Sequence, residues 1–209
     1  MKDILTTRAF LMQFDKGNKT AQLPNGFELQ CRISYEKEFK LIDEKANKVA
    51  CENGGVSTYK NKTDDGIVII GYEKLIQALG NRISKCCDFV VYSENKKSFI
   101  ICNELSVSNK KIKWPDARFQ FSATVRHLLK CEETKAIIEG IKNKYCVLST
   151  KIEHIVSPDN MAKAFDNPYN LFKQAEQLHW TVVEKMGFTI WESNIITYEN
   201  EDSVQLAVR

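Results

Sequence analysis

A strand-turn-strand segment within residues 86–106 places the strongest constraint on how this chain folds. Two apolar runs, FVVY and FIIC, flank the polar stretch SENKKS. Short apolar runs bounded by turn residues predict two buried strands joined as a hairpin. Each strand also carries one acid beside its apolar run, Asp88 in the first and Glu104 in the second.

The two acids are candidates for a shared metal site. Because side chains alternate between the faces of a strand, Asp88 lies on the same face as Val90, and Glu104 on the same face as Cys102. In a suitable hairpin register those faces coincide, and two carboxylates then lie close enough to hold one divalent ion. Burying a carboxylate among apolar residues is costly unless its charge is compensated. The alternative is that both acids are half solvated at strand ends or paired with nearby lysines.

The remaining periodicity predicts a mixture of helices and strands. An amphipathic helix is expected at 35–50, a polar loop at 51–66, a helix at about 116–129 and another at 168–187. The tail, from residue 188 onward, alternates as a terminal hairpin does. We therefore expect a three-layer domain of the α/β or α+β class. At 209 residues the chain has the length of a single domain.

Composition narrows the function classes. The net charge is only +3, which permits a nucleic-acid partner without requiring one. Seven cysteines form an odd set without the paired spacing of zinc ligands, which favours reduced thiols and a cytoplasmic location. The first residues lack the apolar core of a signal peptide, and no run is long enough to predict a membrane helix. No glycine-rich phosphate loop is present.

The helix expected after the hairpin carries a polar stripe. Ala117, Gln120, Thr124 and His127 follow one another at steps of three and four, so they share one face. Gln120 at the centre of this stripe is a candidate to face the two acids. The alternative is that the stripe is solvated.

These residues resemble the PD-(D/E)XK nuclease superfamily. An aspartate opens a strand, the next strand ends in Glu-Leu-x, and a loop and a helix with Ala-x-x-Gln follow. The resemblance covers about residues 67–150. It implies a restriction-endonuclease-like core, with a mixed central sheet flanked by helices, and additions at both ends. It also implies that Asp88 and Glu104 bind magnesium or manganese, and that Gln120 supports the site as a third catalytic residue.

The chain departs from the family pattern at Ser106, where the motif has a lysine. That lysine orients or activates the attacking water and stabilises charge developing on the phosphate. Two explanations stay open. Either another basic residue supplies the cation, or the site has lost its activity and the fold serves only for binding. The candidates for the displaced cation are Lys110, Lys111, Arg118 and Arg126.

The same four basic residues are expected to contact substrate, because lysines and arginines beside a metal site suit a phosphate backbone. The alternative is a solvated basic loop. The resemblance thus implies a magnesium-dependent nuclease or nuclease-like protein acting on DNA. No membrane association is expected. The alternative function is an inactive nuclease-fold module that binds nucleic acid or a protein partner.

Overall fold

Strands dominate the architecture. The computed structural model describes residues 1–17, 19–42, 56–80, 85–108, 110–150 and 175–207. The helices are α1 (Arg8–Leu11), α2 (Tyr72–Ala78), α3 (Lys110–Lys130), α4 (Glu132–Glu139) and α5 (Thr181–Glu184). The strands are β1 (Cys31–Ser34), β2 (Glu38–Ile42), β3 (Val56–Asn61), β4 (Ile67–Gly71), β5 (Phe89–Ser93), β6 (Phe99–Leu105), β7 (Asn143–Ser149), β8 (Glu176–Leu178), β9 (Thr189–Glu192), β10 (Ile195–Asn200) and β11 (Ser203–Ala207). Two short 3₁₀ turns, Lys2–Ile4 and Met12–Phe14, flank α1.

The larger of two sheets has the strand order β1-β4-β5-β6-β7-β9-β8 within the described ranges. Strands β4, β5 and β6 form an antiparallel meander, whereas β7 runs parallel to β6 and β9 parallel to β7. A parallel pair needs a crossover connection. Helices α3 and α4 provide it between β6 and β7, and this connection brings α3 onto one face of the sheet.

The predicted hairpin is confirmed, and so is the coincidence of its two faces. Strands β5 and β6 pair with Val90 opposite Cys102 and Tyr92 opposite Ile100. These four side chains belong to one buried cluster that also contains Phe121 and other apolar residues of α3. The face of the hairpin that carries the predicted acids is therefore the face that α3 covers.

A second sheet, of order β11-β10-β3-β2, packs on the opposite face. Its contribution to the shared core includes Phe39, Tyr59 and Tyr198, which pack with Val91 and Phe99 of the larger sheet. The molecule thus has three layers: helices, a large mixed sheet and a smaller mixed sheet. The predicted mixed α/β class is confirmed, with helices on one face and a sheet on the other. The restriction-endonuclease-like core and the single domain stay predictions.

Two expectations from the N-terminal part of the chain are wrong. The described part of the helix expected at 35–50 is strand β2, in which Phe39 and Leu41 alternate into the core. The loop expected at 51–66 contains strand β3, which pairs with β2. Residues 43–55 lie outside the described residues. Pairing between strands overrode the helical spacing, because Phe39 and Leu41 also fit the period of two that a sheet requires.

Two helix predictions also need correction. Helix α3 begins at Lys110, six residues before the expected start near Asp116, and it includes Pro115. The helix expected at 168–187 is wrong where it is described, since strand β8 and the short helix α5 occupy that stretch. Residues 168–174 lie outside the described residues. The expected terminal hairpin is confirmed as β10 and β11, while β9 joins the larger sheet.

Two general expectations concern location. None of the helices in the described ranges combines the length and the apolar character that a membrane crossing needs. Every cysteine of the described residues is a free thiol. The absence of membrane association and the cytoplasmic location stay predictions.

Candidate functional site

The structure brings Asp88 and Glu104 to the same end of the hairpin. Asp88 immediately precedes β5, and Glu104 is the penultimate residue of β6. The pairing of Phe89 with Asn103, continued by one residue, sets Asp88 opposite Glu104. The Asp88 Oδ2 atom accepts a hydrogen bond of 2.8 Å from the backbone N–H of Leu105. This bond fixes the Asp88 carboxylate beside the backbone that carries Glu104.

The Asp88 backbone is held as firmly as its side chain. Its carbonyl oxygen accepts hydrogen bonds from the N–H groups of Tyr72 at 2.9 Å and Glu73 at 3.3 Å. These are the first two residues of α2, whose N–H groups have no partner within the helix. The start of α2 therefore positions the residue that opens β5.

Glu104 is almost completely buried, with 1% of its surface exposed. Its Oε1 atom accepts a hydrogen bond of 2.8 Å from Nε2 of Gln120 and lies 2.7 Å from Nζ of Lys113. Its Oε2 atom is buried and has no hydrogen-bond partner among the described residues. A buried carboxylate oxygen without a partner is costly, and its lone pairs can ligate a cation.

Helix α3 delivers both Lys113 and Gln120 to Glu104. The two residues are seven apart, so they lie on the same face, two turns from each other. Ala117 stands between them and is fully buried, and its small side chain lets the helix approach the sheet closely. Gln120 also donates to the carbonyl oxygen of Cys86 at 3.2 Å. The placement of Gln120 against the acids is as the sequence analysis predicted.

The site contains more carboxylates than ammonium groups. Burial and the negative charge of Asp88 raise the pKa of Glu104 to about 8, against the opposing effect of the Lys113 ammonium. Burial by itself lowers the pKa of Lys113, but the attraction of Glu104 and Asp88 outweighs it and raises the pKa. One ammonium thus faces two carboxylates, and added positive charge would favour the ionised form of Glu104.

This donor set fits a hard divalent cation of the magnesium type. Magnesium is usually held by one or two protein carboxylates, with waters and substrate phosphates completing its shell. Asp88 and Glu104 supply the carboxylates, and Oε2 of Glu104 supplies an oxygen that nothing else described occupies. Within the described ranges, no group of three or more histidine, cysteine and acidic side chains surrounds a common point. A site of two acids is therefore the largest this part of the chain offers.

Ser106, at the position of the motif lysine, has a structural role. Its backbone N–H donates to Ser149 at 2.9 Å, which extends the pairing of β6 with β7. Its Oγ atom accepts a hydrogen bond of 3.1 Å from the N–H of Ser108 and so caps the turn that leads toward α3. The ammonium group that lies beside Glu104 belongs to Lys113 on α3.

The side chains that contact Glu104 are Lys113 and Gln120, and the four basic residues predicted to supply the cation are not among them. Lys110 forms ion pairs with Glu176 and, at 3.2 Å, with Glu192. Lys111 and Arg126 are exposed on α3.

Arg118, the fourth predicted cation, stacks on aromatic rings. Its guanidinium carbon lies 4.7 Å from the centre of the Trp180 ring and 5.0 Å from that of Phe119. Whether these four residues contact a substrate stays a prediction.

Lys113 is the residue that the sequence analysis missed. It was not among the predicted basic residues, and the helix was expected to begin after it. The signal lay in the spacing: Lys113, Ala117 and Gln120 follow steps of four and three, and a helix beginning at Lys110 sets them on one face.

Glu192 is a second residue that was missed. Strand pairing sets Glu104, Leu148 and Glu192 side by side across β6, β7 and β9, so the two glutamates share a face. Thr150 donates to Glu192 at 2.8 Å, and Lys110 neutralises it. No local sequence pattern could have found this neighbour, because it depends on the order of the strands.

Comparison with known proteins adds no family. No protein-family model, curated protein or solved structure matches this chain.

Proposed function

We propose that this protein is a magnesium-dependent nuclease acting on DNA, with Asp88 and Glu104 as the metal ligands. One observation carries the proposal. The buried Glu104 carboxylate is bonded on one oxygen by Lys113 and Gln120, and its other oxygen has no partner in the described residues. A site built around a buried acid in this way suits a cation that arrives with its substrate.

Each residue then has a role that follows from its contacts. A bound magnesium ion would polarise a phosphodiester and lower the pKa of a nearby water. Gln120 fixes the orientation of Glu104 through Oε1 and leaves Oε2 available. Lys113 supplies a positive charge where the developing negative charge of the phosphate would be stabilised. Asp88, held through its side chain and its carbonyl oxygen, completes the ligand pair.

The position of the cation also supports the proposal. The pattern at the strand end lacks a lysine because Ser106 takes that place, yet an ammonium group lies 2.7 Å from the acid. A lysine on the helix that follows the hairpin serves the same electrostatic purpose as one on the strand. The departure at Ser106 is therefore compatible with an active site.

A second candidate function is an inactive nuclease-fold module that binds nucleic acid or a protein partner. The observation that favours it is the ion pair itself. Lys113 already compensates much of the charge of Glu104 without any metal, and the described residues offer two acid ligands rather than three. In such a module the cluster would only stabilise the contact between α3 and the sheet.

Cleavage of plasmid and single-stranded DNA tests the proposal. Wild-type protein is assayed with magnesium or manganese beside Asp88→Asn, Glu104→Gln and Lys113→Met. Glu139→Gln and Lys135→Met are matched controls on the exposed surface of α4. We expect cleavage by the wild type and both controls, and loss of cleavage in the three site variants.

Thermal unfolding with and without metal separates the two candidates. A metal at about 100 times its Kd stabilises the fold by about 2.7 kcal/mol, or roughly 5–10 °C in Tm for a chain of this size. Asp88→Asn and Glu104→Gln should abolish that rise. Absence of cleavage together with absence of any response of Tm to metal would reject the nuclease and favour the binding module.

A further inference from the structure

The side of α3 that faces away from the acids is strongly basic. The helix carries six lysines and arginines and one acid, Asp116. The six are Lys110, Lys111, Lys113, Arg118, Arg126 and Lys130. Lys110 and Lys113 turn toward carboxylates of the sheet, which leaves four positive charges outside those ion pairs.

Two large apolar side chains lie among these charges. We define the outer face of α3 by Ile112, Phe119, Arg126 and Lys130, which follow at steps of seven, seven and four and therefore form one stripe. Ile112 is 67% exposed and Phe119 is 56% exposed. A phenylalanine exposed to this degree in the middle of a long basic helix is unusual for a surface without a partner.

Phe119 belongs to a rigid cluster with Arg118 and Trp180, which we name the aromatic platform. The two rings meet edge to face, with centroids 5.9 Å apart and planes at 74°. The guanidinium of Arg118 lies over both rings. Trp180 is fixed by a hydrogen bond of 2.8 Å from its Nε1 to Oγ of Ser122, which itself donates to the carbonyl oxygen of Arg118 at 2.8 Å.

The platform therefore combines flat surfaces with positive charge. A fixed aromatic ring and a planar guanidinium both stack on nucleobases, and they do so without strong preference for sequence. Arg126 and Lys130 lie two to three turns further along the same stripe and are exposed, where phosphates can reach them. The positive charge of this face thus favours a polyanion as its partner. The exposed ring of Phe119 favours a nucleic acid whose base faces are accessible.

We propose that the aromatic platform binds an unpaired base of single-stranded DNA, while Arg126 and Lys130 neutralise the adjoining phosphates. In a duplex the faces of the bases are covered by their neighbours, so only an unpaired base can stack on Phe119. Gln120, the next residue after Phe119, contacts Glu104, so the platform and the acid site are carried by the same turns of one helix. The inference rests on the proposed function for its choice of DNA, but this binding requires no metal.

Fluorescence anisotropy with EDTA present tests the platform apart from catalysis. The probes are a short fluorescein-labelled oligothymidylate, an abasic strand of the same length and a duplex. We expect tighter binding of oligothymidylate than of the other two. Loss of one stacked base weakens binding roughly 5- to 100-fold, so Phe119→Leu should bind oligothymidylate more weakly by that factor. Phe119→Tyr, which keeps the ring, should restore most of the affinity.

The variants also separate stacking from charge. Phe119→Leu should leave the weak binding of the abasic strand unchanged, whereas Arg126→Ala should weaken the binding of both strands. Lys142, an exposed lysine between α4 and β7, provides the charge control, and Lys142→Ala should bind as the wild type does. Equal affinity for abasic and thymidylate strands, or wild-type affinity in Phe119→Leu, would overturn the inference.

The failure of this inference is distinguishable from failure of the nuclease. A wild type that cleaves DNA with magnesium yet binds abasic and thymidylate strands equally overturns only the platform. A wild type that binds oligothymidylate through Phe119 but cleaves nothing supports the platform and overturns the nuclease.

Discussion

Replacing Lys113 by methionine tests whether this lysine compensates Glu104. The substitution keeps an unbranched side chain of similar length in a half-buried position and removes only the ammonium, which lies 2.7 Å from Oε1 of Glu104. Breaking a buried ion pair by removing one partner costs about 3–5 kcal/mol when the other charge stays ionised. We expect the lower value, about 3 kcal/mol, because the Lys113 side chain is partly exposed.

The destabilisation caused by Lys113→Met should increase as pH rises. The folded pKa of Glu104, about 8, lies above its unfolded value of 4.5, so folding favours the protonated acid and stability falls as pH rises between these values. The wild type and the Lys113→Met variant should lose stability equally up to about pH 8. Above it the wild-type acid ionises beside Lys113, whereas the variant acid resists ionisation further. The deficit of Lys113→Met should therefore grow by up to about 1.4 kcal/mol per pH unit above that point.

Urea unfolding near pH 7 and near pH 10, two units above the pKa of Glu104, measures this deficit. We expect a small difference from wild type at the lower pH and about 3 kcal/mol at the higher one, or roughly 6–12 °C in Tm. In a Glu104→Gln background, Lys113→Met should be nearly neutral at both values, because no buried charge is left unpaired. A deficit that is equal at both pH values, or that simply adds to the effect of Glu104→Gln, would refute the reasoning.

Three further predictions concern the same helix and its surroundings. The affinity for magnesium should fall about tenfold for each pH unit below about 8, because Glu104 must lose its proton before it can bind the ion. Calorimetry in buffers of different ionisation enthalpy would show the proton that is released on binding. Gln120→Met should destabilise the fold by about 1–3 kcal/mol in urea unfolding, because it removes donors to a buried carboxylate and a carbonyl oxygen. Burial lowers the pKa of His127 to about 4, below its unfolded value of 6.5. The free energy of unfolding should therefore fall by about 3 kcal/mol in total as pH falls between these values. The His127→Phe variant should lose less stability over the same pH range.

Much of the site's strand geometry could be predicted from the sequence, because it depends on local rules. The apolar runs of the hairpin, the alternation of side chains and the polar turn between them all act within residues 86–106. They correctly set Val90 and Cys102 on one shared face. The spacing of Ala117 and Gln120 likewise predicted a helix face that meets the sheet, and Gln120 does contact Glu104.

The features that the sequence did not predict depend on contacts between distant parts of the chain. Phe39 and Ile42 fit a helical stripe in isolation, and only pairing with β3 makes their segment a strand. The early start of α3 was missed because a proline such as Pro115 favours the beginning of a helix, although Pro115 lies inside this one. That single error concealed Lys113, since a lysine in a loop has no defined neighbour whereas a lysine on this face of α3 has one.

The smaller sheet has a consequence for how the protein is made on the ribosome. Strands β2 and β3 come early in the chain, but β3 gains its parallel partner β10 only from residues near the other end. Until that segment leaves the exit tunnel, the apolar face of the larger sheet that includes Val91 and Phe99 lacks part of its cover. Pairings this distant form slowly, and uncovered apolar faces associate with one another. A nascent chain paused before residue 195 should therefore be a better chaperone substrate than one released after residue 207.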